Sequence, residues 1–182
     1  MNIPNMLSIF RMILVPFFVL VFFSDIPHAM AYAAGIYALA GITDVLDGII
    51  ARRFNMITKL GKILDPLADK LMTITVFDCI TIRGIIPWWV ILLLFAKDFL
   101  MVLGGIKLYR EVSAVFAANV FGKAATVFLV LGGITIMLFN DWIPIVFKNA
   151  FMYVAVAMSF LAFFSYLYQY IHFKRTNDVS KL

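Results

Sequence analysis

Asp44-Val-Leu-Asp47-Gly48-Ile-Ile-Ala51-Arg52, followed eight residues later by Gly61-Lys-Ile-Leu-Asp65-Pro-Leu-Ala-Asp69, decides how the rest of the chain is read. On a helix, Asp44, Asp47, Gly48 and Ala51 fall at i, i+3, i+4 and i+7, which is one face. Gly61, Asp65 and Asp69 fall at i, i+4 and i+8, one face of the next helix. Carboxylates in or beside hydrocarbon cost several kcal/mol each unless they are paired, hydrated or bound to a cation. Four of them on two facing stripes need compensation, and divalent metal is the most economical kind. Hard-cation sites built from carboxylate oxygens are common in phosphoryl-transfer chemistry.

The surroundings of that stretch are apolar. Of 182 residues, 64% are hydrophobic and 14% charged, and the mean hydropathy is +1.02. A soluble domain carries about 45–50% apolar and about 25% charged residues. The composition therefore predicts an integral membrane protein, all-α, folded as a single domain over 1–182. Six apolar segments of spanning length lie at roughly 7–23, 30–50, 62–83, 88–108, 122–139 and 149–172, each long enough to cross a bilayer. They predict a polytopic bundle of six transmembrane helices, with Asn2 to Met6 as a short N-terminal interfacial segment. No basic leader region or small-residue cleavage site accompanies the first apolar run, so it reads as a retained helix.

The net charge of +5 does not form a basic face interleaved with aromatics, which argues against nucleic acid. Basic residues cluster instead in the short connections. Arg11, Arg52, Arg53, Lys59, Lys62, Lys107, Arg110, Lys123, Lys174, Arg175 and Lys181 fall on one side, with little beyond Arg83 and Lys148 on the other. That asymmetry predicts cytoplasmic termini and an acidic motif at the cytoplasmic ends of the second and third spans. Cys79 is the one cysteine, so no intrachain disulfide forms.

The spacing D-x-x-D-G-x-x-A-R, eight residues, G-x-x-x-D-x-x-x-D resembles in full the signature of the CDP-alcohol phosphotransferase (CDP-alcohol phosphatidyltransferase) family. Ile3-Pro4-Asn5-Met6-Leu7-Ser8-Ile9-Phe10-Arg11 and Asp65-Pro66-Leu67-Ala68-Asp69-Lys70 look like its phosphatidylglycerophosphate synthase and cardiolipin synthase branches. The resemblance implies a bacterial cell-membrane enzyme that transfers a phosphatidyl group from CDP-diacylglycerol to an alcohol and releases CMP. It implies two divalent cations, Mg²⁺ or Mn²⁺, held by Asp44, Asp47, Asp65 and Asp69, with Asp69 also the general base. Homodimers are common among members.

Residue chemistry agrees with those roles. Asp69, one turn beyond Asp65, can take the alcohol proton. Gly48, Ala51 and Gly61 lack bulk and admit a pyrimidine and ribose close to the backbone. Arg52 offers a two-pronged donor for phosphate or the base. Asn5, Ser8 and Thr58 complete the donor-binding set by resemblance. Glycerol 3-phosphate is the first choice of acceptor, with Lys107, Arg110, Lys123 and Arg11 as the cations that would hold its phosphate. Phosphatidylglycerol, giving cardiolipin, is the alternative. Gly105 and Ala125 stand where the glycerol-phosphate branch tends to place an arginine and a lysine.

Plainer readings compete at several positions. Intramembrane carboxylates also mark cation and proton transporters, although a proton relay needs no groove floored by Gly48, Ala51 and Gly61. Gly48 and Ala51 can equally be helix-packing residues. Lys97-Asp98, near the middle of the fourth span, reads as a packed ion pair or as the border of the acceptor pocket. His28, His172, Trp88, Trp89 and Trp142 read as interfacial residues.

Overall fold

The computed structural model describes residues 2–54, 58, 61–112 and 120–179, with the side chains of 52, 62, 63, 101–112, 120–123, 166 and 169–179 outside that description. Those residues form six helices: α1 (Ile3–Phe22), α2 (Ala29–Arg53), α3 (Gly61–Ile82), α4 (Trp88–Val112), α5 (Val120–Leu138) and α6 (Ile145–Val179). Each apolar segment found in the sequence corresponds to one of them. Among the described residues, three stretches are long and apolar enough to cross a membrane: Ile3–Phe22, Ala29–Ala51 and Ile145–Ser165. Ala124–Leu138 of α5 is a shorter apolar stretch. Helices α3 and α4 carry several charges each, including Asp65, Asp69, Lys70 and Asp78 on one and Lys97, Asp98, Lys107 and Arg110 on the other.

One expectation is corrected at the amino terminus. Asn2 to Met6 is not a separate interfacial piece: the helix starts at Ile3 and runs unbroken to Phe22. Pro4 lies in the first turn, where its missing N–H costs nothing and its fixed φ favours helix entry. The chain from Pro4 onward buries a stripe of Pro4, Asn5, Ser8, Arg11, Leu14, Phe18 and Phe22 against the bundle. From Asn5 onward the stripe advances in steps of three and then four residues, as one inward helix face does.

Helix α1 packs on α2 and α3, α2 on α5, and α6 on α4 and α5. The core at the centre joins Phe18 and Phe22 to Ala33, Ala34, Tyr37, Met72, Val76, Phe77, Ile80, Ile136 and Met152. The outside is also apolar, with Leu20, Ile42, Val45, Leu92, Leu131 and Leu161 among its exposed side chains. An apolar exterior of this extent suits hydrocarbon as solvent.

At the end away from the acidic motif, α3 closes with a glycine cap. Gly84 has φ +71°; its N–H donates to the Thr81 carbonyl at 2.7 Å, and that of Ile85 to the Ile80 carbonyl at 3.1 Å. This pair satisfies two terminal carbonyls. Arg83 then reaches across to α1, donating from Nη2 to the Phe22 carbonyl at 2.7 Å and lying over the Phe22 ring. Lys148 donates from Nζ to the Asn140 carbonyl (2.6 Å) and side-chain oxygen (2.7 Å), closing the turn between α5 and α6.

Helices α5 and α6 meet through Phe128 and Phe151, stacked with centroids 4.3 Å apart. The Phe151 ring lies so close to the α5 backbone that a Cβ on Gly132 would fall 1.7 Å from it. Gly132→Val should therefore unseat Phe151 and lower stability by about 1–3 kcal/mol, the usual cost of overpacking. Thermal unfolding in detergent would read this as a lower Tm; an unchanged Tm would show that Phe151 repacks freely.

Candidate active site

The acidic motif folds as its spacing requires: Asp44 and Asp47 project from α2, and Asp65 from α3. One oxygen from each of the three carboxylates lies within 4.8 Å of the others. Such a set of hard oxygen donors can hold a metal ion of the Mg²⁺ or Mn²⁺ kind. Asp47 is buried, whereas the side chains of Asp44 and Asp65 retain 38% and 43% exposure, which leaves the cluster open on one side. Asp69, two turns into α3, stands outside this triad; it lines an adjoining cleft together with Asp44 and Arg11.

The group that fills the cluster is a guanidinium. Arg11, 1% exposed, reaches in from α1 and contacts all three carboxylates: Asp44 and Asp65 through Nη1, the latter at 3.4 Å, and Asp47 through Nη2. Its Nε is buried without a hydrogen-bond partner among the described residues. Arg11, expected among the cations for an acceptor phosphate, lies instead among the aspartates. Its helical position was the available signal, since Arg11 falls three residues after Ser8 on the buried stripe of α1.

A second cluster lies toward the start of α3. Thr58 accepts the Gly61 N–H at 2.9 Å and donates to Asn5 Oδ1 at 3.1 Å. Its hydroxyl thus satisfies one of the free amides at the α3 N-terminus while tying that end to α1. A Cβ on Gly61 would fall 2.6 Å from Asn5 Oδ1 and 3.0 Å from Thr58 Oγ1. Three residues of the expected donor-binding set, Asn5, Thr58 and Gly61, are therefore in direct contact. Ser8, buried one turn deeper, donates to the Pro4 carbonyl at 3.1 Å. Gly48 and Ala51 continue the α2 face that carries Asp44 and Asp47. The side chains of Arg52, Lys107, Arg110 and Lys123 lie outside the described residues, though their backbones belong to α2, α4 and α5.

Lys97 and Asp98 of α4 do form an ion pair, at 2.5 Å, and Lys70 of α3 joins it at 2.8 Å. Two ammonium groups thus share one carboxylate, and Lys70 directly follows Asp69 in the chain. The cleft beside Asp69, of about 500 Å³, is lined by Tyr37, Gly41, Ile42, Val45, Thr73, Thr126, Val130 and Ile134 among others. It is polar where Arg11, Asp44 and Asp69 meet and apolar along α2 and α5.

A model of the CDP-alcohol phosphatidyltransferase family matches residues 1–161. A protein of Sodalis glossinidius named CDP-diacylglycerol–glycerol-3-phosphate 3-phosphatidyltransferase is 33% identical over 181 residues, covering 94% of this chain and 96% of that protein. One of the same name from Escherichia coli K12 is 44% identical over 91 residues, half of each chain. A putative cardiolipin synthase of Mycobacterium tuberculosis is 40% identical over 140 residues, or 76% of this chain; the match spans 65% of that relative's length, just under two thirds. With three of the motif's four aspartates gathered into one cluster and the family match running through all but the last helix's end, the chain belongs to the CDP-alcohol phosphatidyltransferase family.

Proposed function

We propose that this chain is a six-span membrane enzyme that transfers a phosphatidyl group from CDP-diacylglycerol to glycerol 3-phosphate, forming phosphatidylglycerophosphate and CMP. The observation that carries the reading is the convergence of Asp44, Asp47 and Asp65 into a metal-competent cluster. The relative aligned over 96% of its own length supports the acceptor by its name.

The residues fit divalent cations: the donors are carboxylates of hard-oxygen type, close enough to share an ion and open on one side. When bound, such ions neutralise charge building on the phosphates and on the departing CMP. Asp44, Asp47 and Asp65 would hold the first, with Asp69 completing a second site. Asn5, Thr58 and Gly61 would receive the nucleotide, joined by Ser8, Gly48, Ala51 and Arg52. Asp69 would accept the proton from the acceptor hydroxyl as the new P–O bond forms. Lys107, Arg110 and Lys123 remain the cations proposed to bind the acceptor's phosphate. A single domain, cytoplasmic termini and a cytoplasmic active site in a bacterial cell membrane belong to the same reading, as does a homodimer.

A second reading, cardiolipin synthesis with phosphatidylglycerol as acceptor, is favoured by the mycobacterial relative's name and by Ala125 and Gly105. Purified protein given CDP-diacylglycerol and either acceptor decides between them by CMP release and lipid product. Turnover with glycerol 3-phosphate supports the first reading. Turnover with phosphatidylglycerol alone replaces it. CMP release with neither sets both acceptors aside in favour of another alcohol.

Asp47→Asn removes a charged donor from the buried side of the cluster, so CMP release should fall to background at ordinary Mg²⁺ concentration. Asp69→Asn should slow turnover by at least about a hundredfold, the scale of general-base catalysis, with donor affinity better preserved. Steady-state kinetics of the two variants side by side would check both, and equal loss of donor binding would reduce Asp69 to a ligand.

Gly61→Ala should raise the CDP-diacylglycerol KM by about three- to tenfold, as expected for one weakened hydrogen bond, because the new methyl pushes Asn5 and Thr58 apart. The acceptor KM should stay level. A donor KM equal to the parent's would remove the Asn5–Thr58 contact from the nucleotide site.

A further inference from the structure

Arg11 is the one described cation buried to 1%, and it sits where the carboxylates converge. Three aspartates against one guanidinium leave two negative charges uncompensated, the charge of one divalent ion. The guanidinium is also incompletely satisfied. Its two terminal nitrogens meet the carboxylates, while Nε has no partner among the described residues, which is unfavourable for a buried donor. A counter-ion held this way stabilises the cluster without saturating it. The cleft that opens beside Asp44 and Asp69 has Arg11 in its wall and about 500 Å³ of room.

We propose that Arg11 is a resident counter-ion that occupies the carboxylate cluster until a divalent ion enters, and then swings into the adjoining cleft as a positioning residue for the donor's phosphates. The inference rests on the reading of Asp44, Asp47 and Asp65 as metal ligands. In the metal-free protein, Arg11 lets two helices keep three carboxylates close together in an apolar bundle. On loading, like charges repel and the guanidinium is the mobile partner, because it hangs on a long side chain while the aspartates are fixed on short ones. Moving it places a two-pronged phosphate donor beside the metals rather than between their ligands.

The test is Mn²⁺ binding to the full-length protein in detergent without donor, read by electron paramagnetic resonance of free Mn²⁺, alongside Tm with and without the ion. Arg11→Gln should bind Mn²⁺ at least about tenfold more tightly than the parent, since a charge-assisted contact no longer competes. Its metal-free Tm should fall, so its stabilisation by Mn²⁺ grows. Arg11→Lys, which keeps the charge but not the fork, should lie between the two. If Arg11→Gln unfolds without metal, purification in Mn²⁺ followed by chelation should unfold it while the parent survives, with the same meaning. Unchanged or weaker Mn²⁺ affinity in a folded Arg11→Gln overturns the proposal. Asp47→Asn serves as the control for the underlying reading: if it binds Mn²⁺ as the parent does, the cluster is not the metal site and both fall. If it loses Mn²⁺ while Arg11→Gln gains nothing, only the role of Arg11 falls.

Discussion

Like charges forced together in an apolar bundle are the constraint on which this structure turns. Asp44, Asp47 and Asp65 converge within 4.8 Å, an arrangement that would drive α2 and α3 apart without positive charge between them. The charge comes from a third helix. Arg11 of α1 therefore does more than pair: it makes α1 the clamp on which α2 and α3 both pack. The stripe that carries Arg11 inward also carries Phe18 and Phe22 into the apolar core. One helix face thus joins the polar site to the packed interior.

The two ends of the bundle solve different problems. Away from the aspartates, backbone groups are closed off by Gly84, Arg83 and Lys148, and the interactions bind one helix end to the next. At the acidic end, Thr58 caps α3 and holds Asn5, while the carboxylates stay partly exposed. The far end is not sealed, however: a cleft of about 440 Å³ lies there, lined by Asp25, His28, Arg83, Asn140 and Asp141 among others.

Most of the helical architecture could be read from the chain, because apolar runs broken by Ser24-Asp25-Ile26-Pro27, Arg53-Phe54, Gly84 and Asn140-Asp141 leave few alternatives to α2 through α6. The i, i+3 and i, i+4 spacing put Asp44 and Asp47 on one helix face and Asp65 and Asp69 on the next; that Asp65 meets the first pair while Asp69 stands apart follows from how α2 and α3 pack. The start of α1 was harder. Ile3 and Met6 are exposed while Pro4 and Asn5 are buried, a helical alternation too short to recognise in five residues. Arg11 was harder still. Its signal was the three-residue step Asn5, Ser8, Arg11 in an otherwise apolar helix, but a basic residue near a chain end reads first as topological. The contact of Thr58 with Asn5 spans 53 residues, and no local pattern announces it. Only tertiary packing could bring Asn5, Thr58 and Gly61 into one group.

The cleft beside Asp69 has walls that include Ile42, Val45, Val127 and Leu131, all of them side chains exposed on the outside of the bundle. It therefore opens sideways, toward whatever apolar medium surrounds the helices. A lipid that reaches the aspartates by this route never crosses bulk water, and its supply is set by how crowded the surrounding sheet of lipid is with it. For such a reactant, concentration is a two-dimensional quantity. Diluting the membrane with inert lipid would starve the site, whereas diluting the membranes themselves in buffer would not.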